Sequence, residues 1–231
     1  MIFALLAADS LLGISLVDGK GGASVSVPMQ ITLLMTLLAM LPAAIMSVTP
    51  FLRISIVLHF LRQALGTQSA PSNQVLAGLA LFLSMLIVSP VLTQIHTEAW
   101  EPMQKGAITQ DLAIEKAGKP LKTFLAKYAR EKDVKLFLEI THAPAPRTPD
   151  DLELKVLVPA YIISELKTGF QIGAVLFLPF LVIDIVVASV TLSIGMVQLP
   201  PVMLSAPFKI LLFVLVDGWN LLVGSLIKSF Y

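Results

Sequence analysis

Ser164 and Lys167 lie three residues apart on a predicted helix, a spacing at which a lysine can serve as the base for a serine nucleophile. A helix terminus with mixed polar residues explains this pair better. The three histidines, His59, His96 and His142, are far apart and lack metal-ligand spacing. The glycine-rich stretch at residues 19–22 lacks the spacing of a phosphate-binding loop, and the chain has no cysteine. These residues predict neither an enzyme nor a metal or cofactor site.

Glu165 and Asp184 are carboxylates in strongly apolar sequence, where ionisable groups are costly and usually functional. One interpretation is a proton relay in a proton-coupled secondary transporter. The other is structural pairing, either within the chain or between subunits. Lys209 and Asp217 also lie in apolar surroundings, and opposite charges buried in one assembly can satisfy each other. The residues alone leave both interpretations open.

The composition indicates an integral membrane protein. Hydrophobic residues make up 56% of the 231 residues, charged residues only 13%, and the mean hydropathy is +0.87. A soluble domain of this length needs more polar surface than that. The formal net charge of +1 provides no basic patch for phosphates and argues against nucleic-acid binding.

The charges divide the chain into segments, because residues 98–155 hold ten Lys or Arg and ten Asp or Glu. We predict a first hydrophobic helical hairpin at 27–97, a polar helical insert at 98–155 and a second hydrophobic hairpin with a pore loop at 156–231. Residues 1–26 are expected to be a truncated signal-like or flexible segment. Arg53 and Arg62 predict a cytoplasmic position for the short segment between the first spans, and hence a periplasmic insert.

The hydropathy and the positions of prolines and glycines predict an all-α, membrane-associated fold of kinked helical hairpins with about four membrane spans. In the first half they predict helices at 27–48, 51–65 and 74–95. In the insert, Gly118 and Pro120 mark the start of an amphipathic helix, and residues 148–151 resemble the start of another that runs to about residue 170. The last two spans are expected at 169–199 and 202–227.

Four segments resemble the FliP/SctR family of type III secretion export-gate proteins. They are FLRQALGTQSAPSNQV (60–75), PAYIISELKTGFQIG (159–173), DIVVASVTLSIGMVQLPP (184–201) and PFKILLFVLVDGWNLLVGSLIKSFY (207–231). The Leu65-Gly66-Thr67 turn, the run at 216–219 and the last three residues are similar to the flagellar branch of that family. The resemblance covers residues 27–231, with the insert less distinctive.

The resemblance implies a non-enzymatic subunit of the flagellar export gate, in the bacterial inner membrane at the flagellar basal body. Such subunits form a homopentameric, pore-forming ring, joined by FliQ and FliR and working with FlhB and FlhA. Unfolded flagellar proteins pass through the channel. A proton-coupled transporter using Asp184 and Glu165 is the alternative.

The resemblance also implies roles for individual residues. The family carries a methionine loop before its paired prolines, thought to form a gasket around the pore; here the positions are Met196, Val197 and Gln198. Methionine suits that role because it repacks around varied partners. Glu165 and Lys167 match a central family motif, and we expect them to pair with neighbouring subunits. In the insert, two phenylalanines are expected either at contacts between copies or in the core of one copy: Phe124 and Phe137.

Overall fold

The computed structural model describes residues 27–67, 69–144, 146, 148, 151–195 and 200–230, and these form helices joined by short turns, with no strand among them. The all-α class is confirmed. The N-terminal segment 1–26 lies outside the described residues. Among the described residues, three helices are long and apolar enough to cross a membrane, and a bent pair near the C-terminal end would make a fourth span if it counts as one.

The chain divides into two compact units, residues 1–45 and 46–231. In the first, α1 (Val27–Ser47) continues through Pro42, and nearly all of its described apolar side chains are exposed. Such a helix needs lipid or another protein around it, because an apolar surface on all sides is stable only when covered.

The first hairpin of the second unit begins with α2 (Phe51–Ala64), which ends before Gly66. Gly66 has φ +74°, a left-handed conformation that glycine adopts without steric cost, and this explains the sharp helix end. Helix α3 (Asn73–Ile95) follows, with the Ser72 hydroxyl accepting from the Val75 N–H at 3.4 Å. A π-helical turn (His96–Trp100) and the short α4 (Glu101–Gln104) extend it into the insert.

The polar insert contains α5 (Gln110–Tyr128) and α6 (Glu131–Thr141). Helix α5 begins about ten residues earlier than the sequence predicts. Gly118 and Pro120 lie inside it, and Pro120 is buried against the rest of the unit, so tertiary packing offsets the cost of these breakers. The long helix begins at Leu154 and not at residues 148–151, although the contact between the two ends of that predicted start is present. Asp151 accepts from the Thr148 N–H at 2.9 Å in a turn that precedes the next helix, whereas Pro149 and Asp150 lie outside the described residues.

Helix α7 (Leu154–Ser193) is a single helix of 40 residues and not the two helices expected. Its glycines are contact points and not breaks. A Cβ on Gly169 would lie 3.3 Å from the Arg53 backbone, and one on Gly173 would lie 2.6 Å from the Phe60 ring. Small residues at these positions let α2 approach α7 closely, which is how helices associate in membranes.

The last predicted span is two helices, α8 (Pro201–Leu215) and α9 (Gly218–Lys228), bent by 67°. Asp217 sits at the bend with φ +51°, and the Gly218 backbone lies so close to the Phe213 ring that a side chain there would clash. Helix α8 packs on α7, and α2, α5 and α6 also contact α7. Helix α7 is therefore the element that positions the charged residues described next.

Candidate functional site

The Glu165 carboxylate lies on the face of α7 that packs against α2, and its partner is Arg53 of the same chain. Glu165 is completely buried and Arg53 is 4% exposed. The Arg53 Nη2 donates to Glu165 Oε1. The sequence places Arg53 among cytoplasmic-side charges and predicts partners for Glu165 in other subunits, so the pair within the chain is not predicted. The one signal for it is that α2 carries only positive charges, Arg53 and Arg62, whereas α7 carries the carboxylates Glu165 and Asp184.

Arg53 also holds the C-terminal end of the described chain. Its Nη1 donates to the Ser229 hydroxyl at 3.2 Å and lies 3.4 Å from the Ser229 carbonyl oxygen. The guanidinium lies 3.9 Å from the centre of the Phe230 ring and 5.7 Å from that of Tyr128, within cation–π range. Tyr128 in turn donates its hydroxyl to the Phe230 carbonyl. One arginine therefore joins α2, α7, the insert and the C-terminal turn.

Three buried polar atoms of this cluster have no hydrogen-bond partner among the described residues: Arg53 Nε, Glu165 Oε2 and the Tyr161 hydroxyl. Unsatisfied buried polar groups cost free energy, so the cluster itself adds little to the stability of the fold. The packing of the surrounding helices must keep these groups in place.

A second, part-buried pair joins Asp184 of α7, which is 19% exposed, to Lys209 of α8 at 2.7 Å. Lys209 is 1% exposed, and its ammonium also donates to the Ala64 carbonyl at 2.9 Å, at the end of α2. The Ser205 hydroxyl donates to the other Asp184 oxygen at 2.5 Å. Both carboxylate oxygens are therefore occupied, and the pair fastens α8 to α7 and α2.

Ser164 is not paired with Lys167. Its hydroxyl, fully buried, donates to Asp133 at 2.6 Å and accepts from the Arg130 N–H at 2.9 Å. Burial raises the pKa of the Asp133 carboxyl, but the hydrogen bonds from Ser164 and Arg130 and the positive charges of Arg130 and Lys167 together outweigh burial, so the pKa is lowered overall. Lys167 is exposed and forms no ion pair within the described residues. The serine therefore ties α6 to α7 and is not placed as a nucleophile.

The remaining predicted residues are dispersed. Asp217 is exposed and accepts from the Asn220 amide at 3.1 Å. Arg62 donates to the Asn73 side chain at 2.6 Å. Phe124 is buried beside the Tyr128 ring, and Phe137 is half-buried against the same core. The gasket positions Met196, Val197 and Gln198 lie outside the described residues.

Within the described ranges no three histidine, aspartate or glutamate side chains converge as metal ligands. The buried charges form separate pairs, each in contact with two or three helices. This arrangement can fix helices relative to one another and offers no open coordination or nucleophile site.

Comparison with known proteins then decides the family. The sequence model of the FliP family matches residues 34–226. The chain belongs to the FliP family. It is 49% identical to the flagellar biosynthetic protein FliP of Pectobacterium carotovorum over 212 residues, which are 92% of this chain and 82% of that protein. It is also 49% identical to FliP of Bacillus subtilis over 217 residues, covering 94% and 98% of the two chains.

A third relative, FliP of Cereibacter sphaeroides, is 47% identical over 218 residues, 94% of this chain and 72% of that protein. The matched region includes both ion pairs, since α2, α7 and α8 all lie within residues 34–226. FliP family membership and the apolar helices together make the chain a membrane-embedded component of the flagellar export apparatus.

Proposed function

We propose that the chain is a core subunit of the flagellar type III export gate. Five copies form a ring, and FliQ and FliR complete the channel through which unfolded flagellar proteins leave the cell. FlhB and FlhA are the neighbouring components that act with it. The observation that carries the proposal is family membership over most of the chain, at up to 49% identity with flagellar FliP proteins.

The contacts of the Glu165 and Asp184 carboxylates support a structural role for them. Glu165 is engaged by Arg53, and Asp184 by Lys209 and Ser205. A proton-relay carboxylate must be reachable by water on at least one side. Glu165 is fully buried beside the Arg53 guanidinium, and both oxygens of the 19%-exposed Asp184 are engaged, by Lys209 and Ser205. Their geometry therefore counts against the proton-coupled transporter.

The exposed apolar surface supports assembly with other chains. Side chains along α7 and α8 are more than half exposed although they are large and apolar, among them Phe170, Val175, Val182, Met203 and Phe208. Such surface must be covered by lipid or by partner subunits. In the proposed gate, neighbouring copies cover part of it.

In this proposal the insert faces the periplasm, and residues 196–198 surround the channel as a collar. Lys167, exposed on α7, and Phe137, half-buried in the insert, are the candidates for contacts between copies. Disulfide crosslinking tests this arrangement, since the chain has no native cysteine to interfere. Single cysteines at Met196 should crosslink between copies, whereas cysteines at the exposed Gly106 in the insert should not.

Native mass spectrometry of the complex extracted after co-expression with FliQ and FliR tests the central claim. Five copies of this chain with both partners is the expected composition. A chain that remains monomeric in the presence of both partners would overturn the proposal. The transporter alternative is tested by proton flux into liposomes that contain the chain alone: flux abolished by Asp184→Asn would favour it over the gate.

A further inference from the structure

A groove of about 390 Å³ opens between α3, α5 and the C-terminal turn. The wall of the groove that α3 forms changes from apolar to polar along the helix. Ile87, Pro90 and Val91 are apolar, and Gln94 and Glu98 follow on the same face. Glu98 is the first charged residue after Arg62, so the groove lies where the apolar run of α3 meets the polar insert. That is the depth at which a phospholipid changes from acyl chain to headgroup.

The opposite wall belongs to α5. Lys119, Thr123 and Lys127 line the groove at four-residue intervals, and therefore lie above one another on one face of the helix. Both lysines are exposed, and within the described residues neither they nor Glu98 form an ion pair. The charged rim thus carries two positive charges and one negative charge.

We propose that this groove binds one anionic phospholipid, of the phosphatidylglycerol class. The phosphate lies between Lys119 and Lys127, and an acyl chain follows the apolar wall of α3 past Val91 and Pro90. The net rim charge of +1 matches a headgroup of net charge −1. The glycerol hydroxyls can donate to Glu98, which would repel a second phosphate.

Charge complementarity selects this occupant over the others. Phosphatidylethanolamine has no net charge and would leave one lysine without a counter-charge. A second copy of the chain packed into the groove would bury two ammonium groups and a carboxylate, at a desolvation cost that only complementary charges on that copy could offset. The proposal rests on the position of the chain in the membrane and not on its role in export.

The test is lipid titration of the detergent-purified full chain, with bound lipid counted by native mass spectrometry. Phosphatidylglycerol and phosphatidylethanolamine are titrated separately. Lys119→Gln/Lys127→Gln should weaken phosphatidylglycerol binding about 30-fold, since each lysine near the headgroup contributes about fivefold. Lys119→Arg/Lys127→Arg should bind like the parent chain. Lys132→Gln/Lys135→Gln, which removes the same charge from exposed positions of α6, is the matched control and should bind normally.

Glu98→Gln provides a second and independent variant, because it raises the rim charge to +2. It should tighten phosphatidylglycerol binding and raise its preference over phosphatidylethanolamine. Equal binding of both lipids by the parent chain would overturn the proposal. The proposal would also be overturned if the Lys119/Lys127 and Lys132/Lys135 double variants weakened phosphatidylglycerol binding equally. The same holds if Lys119→Gln/Lys127→Gln changed the number of protein copies in the complex but not the amount of bound lipid. None of these results would bear on the proposed gate function.

Discussion

Removing the charge of Glu165 is the sharpest test of the buried pair between α2 and α7. Glu165→Gln keeps the size of the side chain and leaves the Arg53 guanidinium buried without a counter-charge. Breaking one side of a buried ion pair costs about 3–5 kcal/mol. The remaining contacts of Arg53, the Ser229 oxygens and two aromatic rings, are neutral and offset only part of that cost.

The free energy of unfolding is measured by titrating the purified chain from a mild detergent into sodium dodecyl sulfate while following helicity. The double variant Arg53→Met/Glu165→Leu replaces both charges with apolar groups and should recover most of the loss, because neither residue is then a buried unpaired charge. The comparison of single and double variants isolates the pair from the packing around it.

The matched control is Glu101→Gln, which breaks the ion pair between Glu101 and Lys105. The two charged groups lie 2.5 Å apart, and the side chains are 44% exposed for Glu101 and 69% exposed for Lys105. It should leave the unfolding curve unchanged, since exposed pairs are screened by solvent. If Glu165→Gln proves as mild as this control, or if the double variant is no more stable than the single one, the account of the buried pair is wrong.

Three further predictions concern other contacts. Lys209→Met should cost about 3 kcal/mol in the same assay because Asp184 then keeps only Ser205; an unchanged curve would show that the lysine is dispensable. Gly173→Val should destabilise the chain by about 1–3 kcal/mol through the clash with Phe60, whereas Gly78→Ala, where a Cβ meets nothing within 4 Å, should be neutral or slightly stabilising. The pKa of Asp133 is lowered in the folded chain, so its contribution to the free energy of unfolding is complete above about pH 4 and is lost as the pH falls through the lower folded value. Asp133→Asn should therefore lose less stability than the parent chain between about pH 6 and pH 3. Parallel curves of unfolding free energy against pH for the two chains would contradict this.

The first half of the fold could be predicted from local signals. The ends of α2 and the start of α3 follow from Pro50, Gly66 and the Ser72 cap, all of which act within a few residues. The continuity of α7 could not, because Gly169 and Gly173 break isolated helices in water but serve as contact points when another helix packs on them. The bend at Asp217 was missed for a similar reason: only the close approach of Phe213 identifies its role.

For the buried charges, sequence predicted that Glu165 and Asp184 need partners but not which partners. Arg53 precedes Glu165 by 112 residues, and spacing along the chain carries no information over that distance. Lys209 is a candidate from sequence because it also lies in apolar surroundings, and the structure pairs it with Asp184, 25 residues away. Pairing between distant helices depends on the tertiary fold, which local patterns do not encode.

The length of α7 limits how the chain can sit in a bilayer. At 1.5 Å per residue its 40 residues extend about 60 Å, roughly twice the thickness of the hydrocarbon core of a bilayer. Acyl chains can therefore cover only about half of its apolar surface at any time, even with moderate tilt. The other half must meet protein, or detergent once the chain is extracted. The apolar side chains of α7 that neither lipid nor the other helices of the same chain cover are accordingly expected to contact partner chains in the assembly.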